Sequence, residues 1–262
     1  KIALEDISFD IKEGEIFGFL GPSGAGKTTT INILTGQLSQ DSGKAYILNK
    51  ESNRLLPSDF LNIGIMSDTV GFYGKMTVYK NLQFFAKYHN VSLDKLDVLL
   101  KELELFEDKD KKAEKLSTGM KQRMLLIRSI LHHPKILFLD EPTSGLDPAL
   151  SNKVHDILLN LKNEGTTIFL TTHDMSEATK ICDRISLLNS GHILEYGSPQ
   201  EIIDKYSQQD KAVIRFKNGD SIMVSQAEAA RYLGGSDVAS VHTLENTLED
   251  IFIKISEDSK NA

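Results

Sequence analysis

Cysteine is almost absent: Cys182 is the only one in 262 residues. That excludes an internal disulfide and fits a reducing compartment. We read Cys182 as a small buried apolar residue, not a reactive thiol. Long apolar runs are missing too. Ile136–Leu139 is among the longest, far short of the ~20 residues a spanning helix needs. Basic excess is also lacking. Thirty Lys and Arg face 37 Asp and Glu, a net charge of −7, so nucleic acid is not expected as the main partner. The start, Lys1–Asp6, is amphipathic and partly acidic, and no secretory leader is expected. The first residue is Lys, not Met, and a fragment lacking its native N-terminus is expected.

What is present is ordinary in bulk and specific in detail. Apolar residues make up 40% and charged residues 26%, as in a globular protein of one large domain or a core with appendages. The chain is organised around Gly21-Pro22-Ser23-Gly24-Ala25-Gly26-Lys27-Thr28, which matches G-x-x-x-x-G-K-T. An apolar run, Ile16–Leu20, precedes it, and Thr29–Leu34 has helical character. Strand, glycine loop and helix in that order form a phosphate-binding loop. The glycines let backbone N–H groups turn toward phosphate oxygens, and the helix adds its positive end. Lys27 would reach the β- and γ-phosphates, and the Thr28 hydroxyl would hold Mg²⁺. The bland alternative is a glycine-rich turn with a surface lysine.

The rest of the pattern alternates strand and helix. Ile7, Phe9 and Ile11 alternate with polar residues and read as an amphipathic strand. Short strands are expected at Ala45–Leu48 and Asn62–Met66. Thr77 would cap a helix running to about His89. Leu93, Leu96, Leu99, Leu100 and Leu103 mark a second helix, its stripe too short for a coiled coil. The mixed charges of Glu107–Lys115 read as a solvated connection. A third helix opens at Ser117 and stops at Pro134. Lys135–Glu141 is a buried strand, Pro148 begins a long helix, and Thr166–Thr172 is a strand ending at His173. This predicts a mostly parallel sheet covered by helices, interrupted by an inserted helical segment. We expect a core of residues 1–67 and 134–200, a helical subdomain of 68–133, and a small α/β appendage of 201–262. In the appendage, Lys211–Phe216 and Ser221–Val224 read as a hairpin, and Ser225 and Thr247 as helix caps.

Two further stretches carry chemistry. The hydrophobic strand ends in Asp140-Glu141, at the carboxyl edge where ligands bind in parallel sheets. Asp140 would hold Mg²⁺, directly or through water, and Glu141 would polarise an attacking water. A carboxylate pair capping the turn at Pro142 is the structural alternative. The other stretch is Leu116-Ser117-Thr118-Gly119-Met120-Lys121-Gln122-Arg123, where Ser117 and a helix start could meet an anion.

The order GPSGAGKT, LSTGMKQR, ILFLDEPTSGLDP and then His173 resembles the nucleotide-binding subunit of an ABC transporter. The resemblance covers nearly all of residues 1–200. It implies a P-loop NTPase (RecA-like) α/β core with antiparallel N-terminal β-strands and a helical subdomain. It also implies two ATPs held head to tail between two copies, each between one phosphate loop and the partner's signature helix. By position, Ser23 through Thr29 would contact phosphates, and Glu141 resembles the catalytic base. His173 resembles the histidine that meets the γ-phosphate, and Asp147 matches the loop crossing the dimer interface. Ser117 and Gly119 match the signature residues. An ATP hydrolase is implied, homodimeric and ATP-dependent. It would drive a separate permease from the cytoplasmic face of the membrane.

Three departures from the family pattern stand out. LSTGM replaces the usual LSGGQ, as in many subunits of exporter-type permeases. Asp68 stands where the family places a Mg²⁺-contacting glutamine, and a carboxylate would still offer oxygen to the ion. The alternatives are that the register is shifted, or that Asp68 merely caps a turn. No aromatic residue precedes Phe9, so the family's adenine-stacking residue is expected upstream of Lys1. The segment Asn246–Phe252 is similar to the terminal helix of ABC-2-type exporters, and together with LSTGM and Asp68 it suggests an antibiotic, peptide or drug as cargo. A nontransport ABC ATPase acting on ribosomes or DNA stays open as an alternative, as does a non-hydrolysing scaffold.

Overall fold

The computed structural model describes residues 2–67, 71–206, 211–243 and 246–258. The chain divides into two compact units, Lys1–Glu195 and Tyr196–Ala262.

The first unit is built on a six-stranded sheet. β1 (Ile16–Leu20) leads through the glycine loop into α1 (Lys27–Leu34). A small antiparallel pair follows, β2 (Tyr46–Ile47) with β3 (Lys50–Glu51). Next come β4 (Ile63–Met66), the helices α2 (Val78–Tyr88), α3 (Leu93–Glu102) and α4 (Thr118–Ile130), then β5 (Ile136–Asp140) and α5 (Pro148–Asn163). β6 (Thr167–Thr172), α6 (Met175–Ile181), β7 (Arg184–Asn189) and β8 (His192–Gly197) complete the succession. Strand order is β4-β5-β6-β1-β7-β8. The pairs β4–β5, β5–β6, β6–β1 and β1–β7 are all parallel. Strands covered on both faces need apolar side chains all along, and β1 is buried at every position. Phe17, Phe19, Phe138 and Phe169 lie within this buried core.

One expected strand is not formed. Ile7, Phe9 and Ile11 are half-buried while their neighbours Asp6, Ser8, Asp10 and Lys12 are exposed, so the alternation of burial is there. Phe9 even stacks on Phe17 with ring centroids 5.5 Å apart. Among the described residues no ladder runs through them, and the antiparallel pairing expected near the N-terminus is confined to β2 and β3. A period of two sets which side chains face inward. A strand needs backbone partners as well.

The inserted helices pack on one another. Each has a hydroxyl cap: Thr77 on α2, Ser92 on α3 and Ser117 on α4. Leu82, Ala86, Leu96, Leu100 and Leu103 are fully buried between them. Each buried leucine is worth about 1.5–3 kcal/mol. The charged run before α4 is anchored, not free: Ala113 is buried and its N–H donates to the Met76 carbonyl at 2.9 Å. Arg128 is buried on α4, donates to the Gly71 carbonyl at 2.7 Å and lies over the Phe85 ring. Burial lowers its pKa to about 10. Among the described residues no helix is long and apolar enough to cross a membrane.

Where α4 ends, His132 stacks on His89 with ring centroids 4.0 Å apart and its Nε2 faces the Ile63 carbonyl at 3.3 Å. This ring at the helix end is half-buried. Burial, then the neighbouring His89, depress its pKa from 6.5 to about 4, and Lys95 and His133 add to the effect. Between those two values the unfolded chain binds a proton that the folded protein refuses. Stability is therefore lost as pH falls from about 6.5 toward 4. In His132→Phe, which keeps the stacking without titrating, the denaturation midpoint should fall less between pH 7 and pH 5 than in the parent. Equal falls would refute the assignment.

The second unit has a three-stranded sheet in the order β10-β9-β11. Its elements are α7 (Pro199–Tyr206), β9 (Lys211–Phe216), β10 (Ser221–Ser225), α8 (Gln226–Ala229), β11 (Val238–Thr243) and α9 (Leu248–Asp258). The expected hairpin is β9–β10, antiparallel. Ser225 and Glu228 close a reciprocal capping box. Ala212, Ile214 and Ala229 form a small core with Phe216, Val224 and Tyr232 against it.

Candidate active site

The sheet register gathers the chemistry on one edge. Leu20 pairs with Thr172, and Asp140 pairs with Thr171. The residues one step further on, Gly21, His173 and Glu141, therefore leave the sheet side by side at its carboxyl end, where parallel sheets bind ligands.

The glycine loop wraps the start of α1. Gly26 sits at φ +115, and a Cβ there would lie 2.4 Å from Leu4 Cδ2 and 2.9 Å from the Ala3 carbonyl oxygen. Both the conformation and the close approach require glycine. Lys27 is only 6% exposed. Its Nζ donates to the Gly21 carbonyl at 2.6 Å and the Pro22 carbonyl at 3.3 Å, and lies 3.4 Å from Glu141 Oε1. A buried ammonium is thus held by loop oxygens and one carboxylate. Ser23, Gly24, Gly26, Lys27, Thr28 and Thr29 line a cavity of about 310 Å³ together with Glu141.

Thr28 Oγ1 donates to Asp140 Oδ2 at 2.7 Å. Asp140 Oδ1 accepts from Thr171 Oγ1 at 2.5 Å. The Thr28 hydroxyl and Asp140 carboxylate are oxygen donors of the type a hard divalent cation takes, so these two residues fit Mg²⁺. Asp68, the third expected ligand, lies outside the described residues.

Glu141 adopts a left-handed backbone, φ +49, a conformation that costs a residue with a side chain about 1 kcal/mol. Its N–H donates to the Thr171 carbonyl at 3.0 Å. Its Oε2 faces His173 Nδ1 at 3.0 Å. Lys27, Glu141 and His173 therefore form one continuous chain of contacts.

The remaining expected residues lie apart from that cavity. Ser117 caps α4, accepting from the Met120 N–H at 3.3 Å. A Cβ on Gly119 would lie 2.9 Å from the Gly145 carbonyl oxygen, so the start of α4 packs tightly on the loop after Glu141. Asp147 caps α5, its Oδ1 accepting from the Ala149 and Leu150 N–H groups at 3.0 and 3.1 Å. None of the three lines the cavity over the phosphate loop.

Sequence reasoning missed Thr171, which orients Asp140. It also missed Glu177, which is 3% exposed and accepts from Thr143 Oγ1 at 2.7 Å and faces His155 Nε2 at 3.0 Å. Thr171 stood out only as one β-branched residue among several, and its role follows from the β5–β6 register.

A family model described as ABC transporter matches residues 4–144. The chain belongs to the ABC transporter family and is an ATP-binding subunit with that family's ATPase activity. It is 37% identical over 266 residues to the fluoroquinolones export ATP-binding protein of Mycobacterium tuberculosis (strain CDC 1551 / Oshkosh), covering 97% of this chain and 87% of that one. It is 32% identical over 283 residues to the Nod factor export ATP-binding protein I of Bradyrhizobium diazoefficiens, covering 98% and 92%. Among solved structures, an ATP binding subunit of an ABC transporter superposes with a TM-score of 0.74 at 22% identity, over 97% of this chain and 93% of that one. A nucleotide-free ATP-binding cassette superposes with a TM-score of 0.64 at 26% identity, over 77% and 88%.

Proposed function

We propose that this subunit binds Mg-ATP in a head-to-tail homodimer and drives export through a separate membrane permease. The observation that carries the reading is the chain of contacts Lys27–Glu141–His173 beside the phosphate loop. In this reading Gly21 through Thr29 cradle the phosphates, with Lys27 on the β- and γ-phosphates. Thr28 and Asp140 hold Mg²⁺, with Asp68 as a further ligand; the ion would neutralise phosphate charge. Glu141 takes the proton of the attacking water, and His173 and Lys27 balance charge on the transferred phosphoryl group. Ser117 and Gly119 meet the partner copy's ATP, and Asp147 lies at the interface between copies.

Residues 1–67 and 134–200 serve as the ATP-binding core, 68–133 as the helical subdomain and 201–262 as an accessory domain. The permease would dock on the helical subdomain, which would place the subunit peripherally on the inner face of the membrane. Cargo is an amphipathic antibiotic, peptide or drug, supported by relatives named for fluoroquinolone and Nod factor export. No observation favours an action on nucleic acid.

Phosphate release by the full chain tests the assembly. Two sites shared between two copies predict turnover that is Mg²⁺-dependent and cooperative in ATP, with a Hill coefficient rising toward about 2. Turnover unaffected by EDTA, or strictly hyperbolic in ATP and independent of protein concentration, would count against the metal or the dimer respectively.

A further inference from the structure

The buried Glu177 has no place in the chemistry described so far. It lies in the first turn of α6, and Asp174 caps that helix by accepting from its N–H at 3.1 Å. His173 stands immediately before this cap. Glu177 Oε1 accepts from Thr143 Oγ1 at 2.7 Å and pairs with His155 Nε2 at 3.0 Å. His155 is itself buried, on α5. Glu177 Oε2 is buried with no partner among the described residues. Both contacts therefore fall on one oxygen, Oε1. Burying a carboxylate this deeply is costly unless its contacts are worth keeping.

Thr143 is the pivot of the loop between β5 and α5. The Ser144 N–H donates to the Glu141 carbonyl at 3.1 Å, and the Leu146 N–H to the Thr143 carbonyl at 3.1 Å. The loop is a pair of tight turns, Glu141–Ser144 and Thr143–Leu146, with Thr143 shared between them and Asp147 following as the cap of α5. Pinning the Thr143 side chain pins the turn that begins at Glu141. Pinning it to α6 ties that turn to the segment carrying His173. His155 ties in α5, the helix capped by Asp147.

We propose, building on the assignment of Glu141 as the base, that Glu177 is a positioning residue. It clamps the Glu141–Asp147 loop to the β6–α6 turn through Thr143 and His155. The clamp fixes Glu141 and His173 at their 3.0 Å separation and carries movement of the Asp147 end of the loop to both. Glu177 touches neither nucleotide nor water in this role.

The test uses the full chain and compares Thr143→Val, Thr143→Ser, Glu177→Leu and the Val/Leu double variant, with Glu141→Gln alongside. Valine removes the hydroxyl at nearly constant volume, so folding is spared even if Glu177→Leu fails to fold. Thr143→Val should lower kcat about tenfold, the scale of a small misplacement of a catalytic group. Its dissociation constant for ATP should stay within about twofold of the parent, since the phosphate loop is untouched. Thr143→Ser restores the donor and should recover kcat to within about twofold. The double variant should be no slower than Glu177→Leu, because both changes break one clamp. Parental kcat in Thr143→Val with an inactive Glu141→Gln overturns the clamp alone. Losses that multiply in the double variant, or a Thr143→Ser as slow as Thr143→Val, overturn it equally. A Glu141→Gln as fast as the parent overturns the base assignment and the clamp together.

Discussion

Glu141→Gln is expected to lower turnover by about a hundredfold or more while ATP still binds. The side chain keeps its size and can still meet His173 Nδ1, so the loop geometry survives. What it loses is the capacity to take a proton and one negative charge. Both losses act in the same direction on the lifetime of the bound state. With the proposed proton acceptor gone, the bound ATP should be cleaved far more slowly. Without the charge, a polyanion approaching Lys27 no longer meets the repulsion of Glu141 beside Asp140. We therefore expect Mg-ATP to hold the variant as a dimer on size-exclusion chromatography, where the parent runs as a monomer once its ATP is spent. The left-handed backbone at Glu141 makes the position informative. A strained residue at the end of a buried strand is held there by its surroundings, here by Thr171 and the two turns through Thr143. Undiminished turnover in Glu141→Gln would assign the proton acceptor elsewhere. A monomeric variant with ATP bound would mean that the interface needs the permease or further chain.

The phosphate loop, the strand ending in Asp140-Glu141 and the histidine after β6 were legible in the sequence because each is written in consecutive residues. Strand, loop and helix are adjacent along the chain, and so are the apolar run Ile136–Leu139 and the two acids after it. The helix caps at Thr77, Ser117, Ser225 and Thr247 were legible for the same reason: a cap and its partner lie three residues apart. Contacts that depend on strand order were not. Thr171 holds Asp140 only because β5 and β6 are neighbours in the sheet. The Thr143–Glu177–His155 cluster joins a loop and two helices across as many as 34 positions of sequence, and no local pattern marks a glutamate that will be buried. The stretch Ile7–Ile11 failed in the opposite sense. Its period gave the correct inward face and suggested a ladder that does not form. Val238–Thr243 pairs with β9 although its composition did not stand out as a strand, since its pairing is set by the partner already in place.

Lys27→Ala should abolish the response to nucleotide while leaving the fold nearly as stable as the parent. Two effects oppose each other in the nucleotide-free protein. Removing the ammonium costs its hydrogen bonds to the Gly21 and Pro22 carbonyls and its pairing with Glu141. It also relieves the desolvation of a cation that is 6% exposed, and buried charges return little net stability once that penalty is counted. The loop also has backbone hydrogen bonds that do not involve the side chain: the Ala25 N–H donates to the Pro22 carbonyl at 3.2 Å, the Thr30 N–H to the Gly26 carbonyl at 2.9 Å and the Gly191 N–H to the Ala25 carbonyl at 3.0 Å. The thermal midpoint without ligand should therefore shift by only a few degrees. The balance is different when phosphates are present. Each charge-assisted bond from Lys27 to a phosphate oxygen is worth about 1.5–3 kcal/mol, and the alanine offers none. One such bond lost lowers affinity about tenfold to a hundredfold, and two lower it further. A ligand at a hundred times its dissociation constant stabilises a protein by about 2.7 kcal/mol, so the ATP-induced rise in midpoint seen in the parent should vanish in Lys27→Ala at the same concentration. Thermal melts of both proteins with and without Mg-ATP decide the matter. A rise as large in Lys27→Ala as in the parent would place the phosphates away from this loop. A fold that collapses without ligand would show that the buried ammonium is needed for the structure itself, through Glu141.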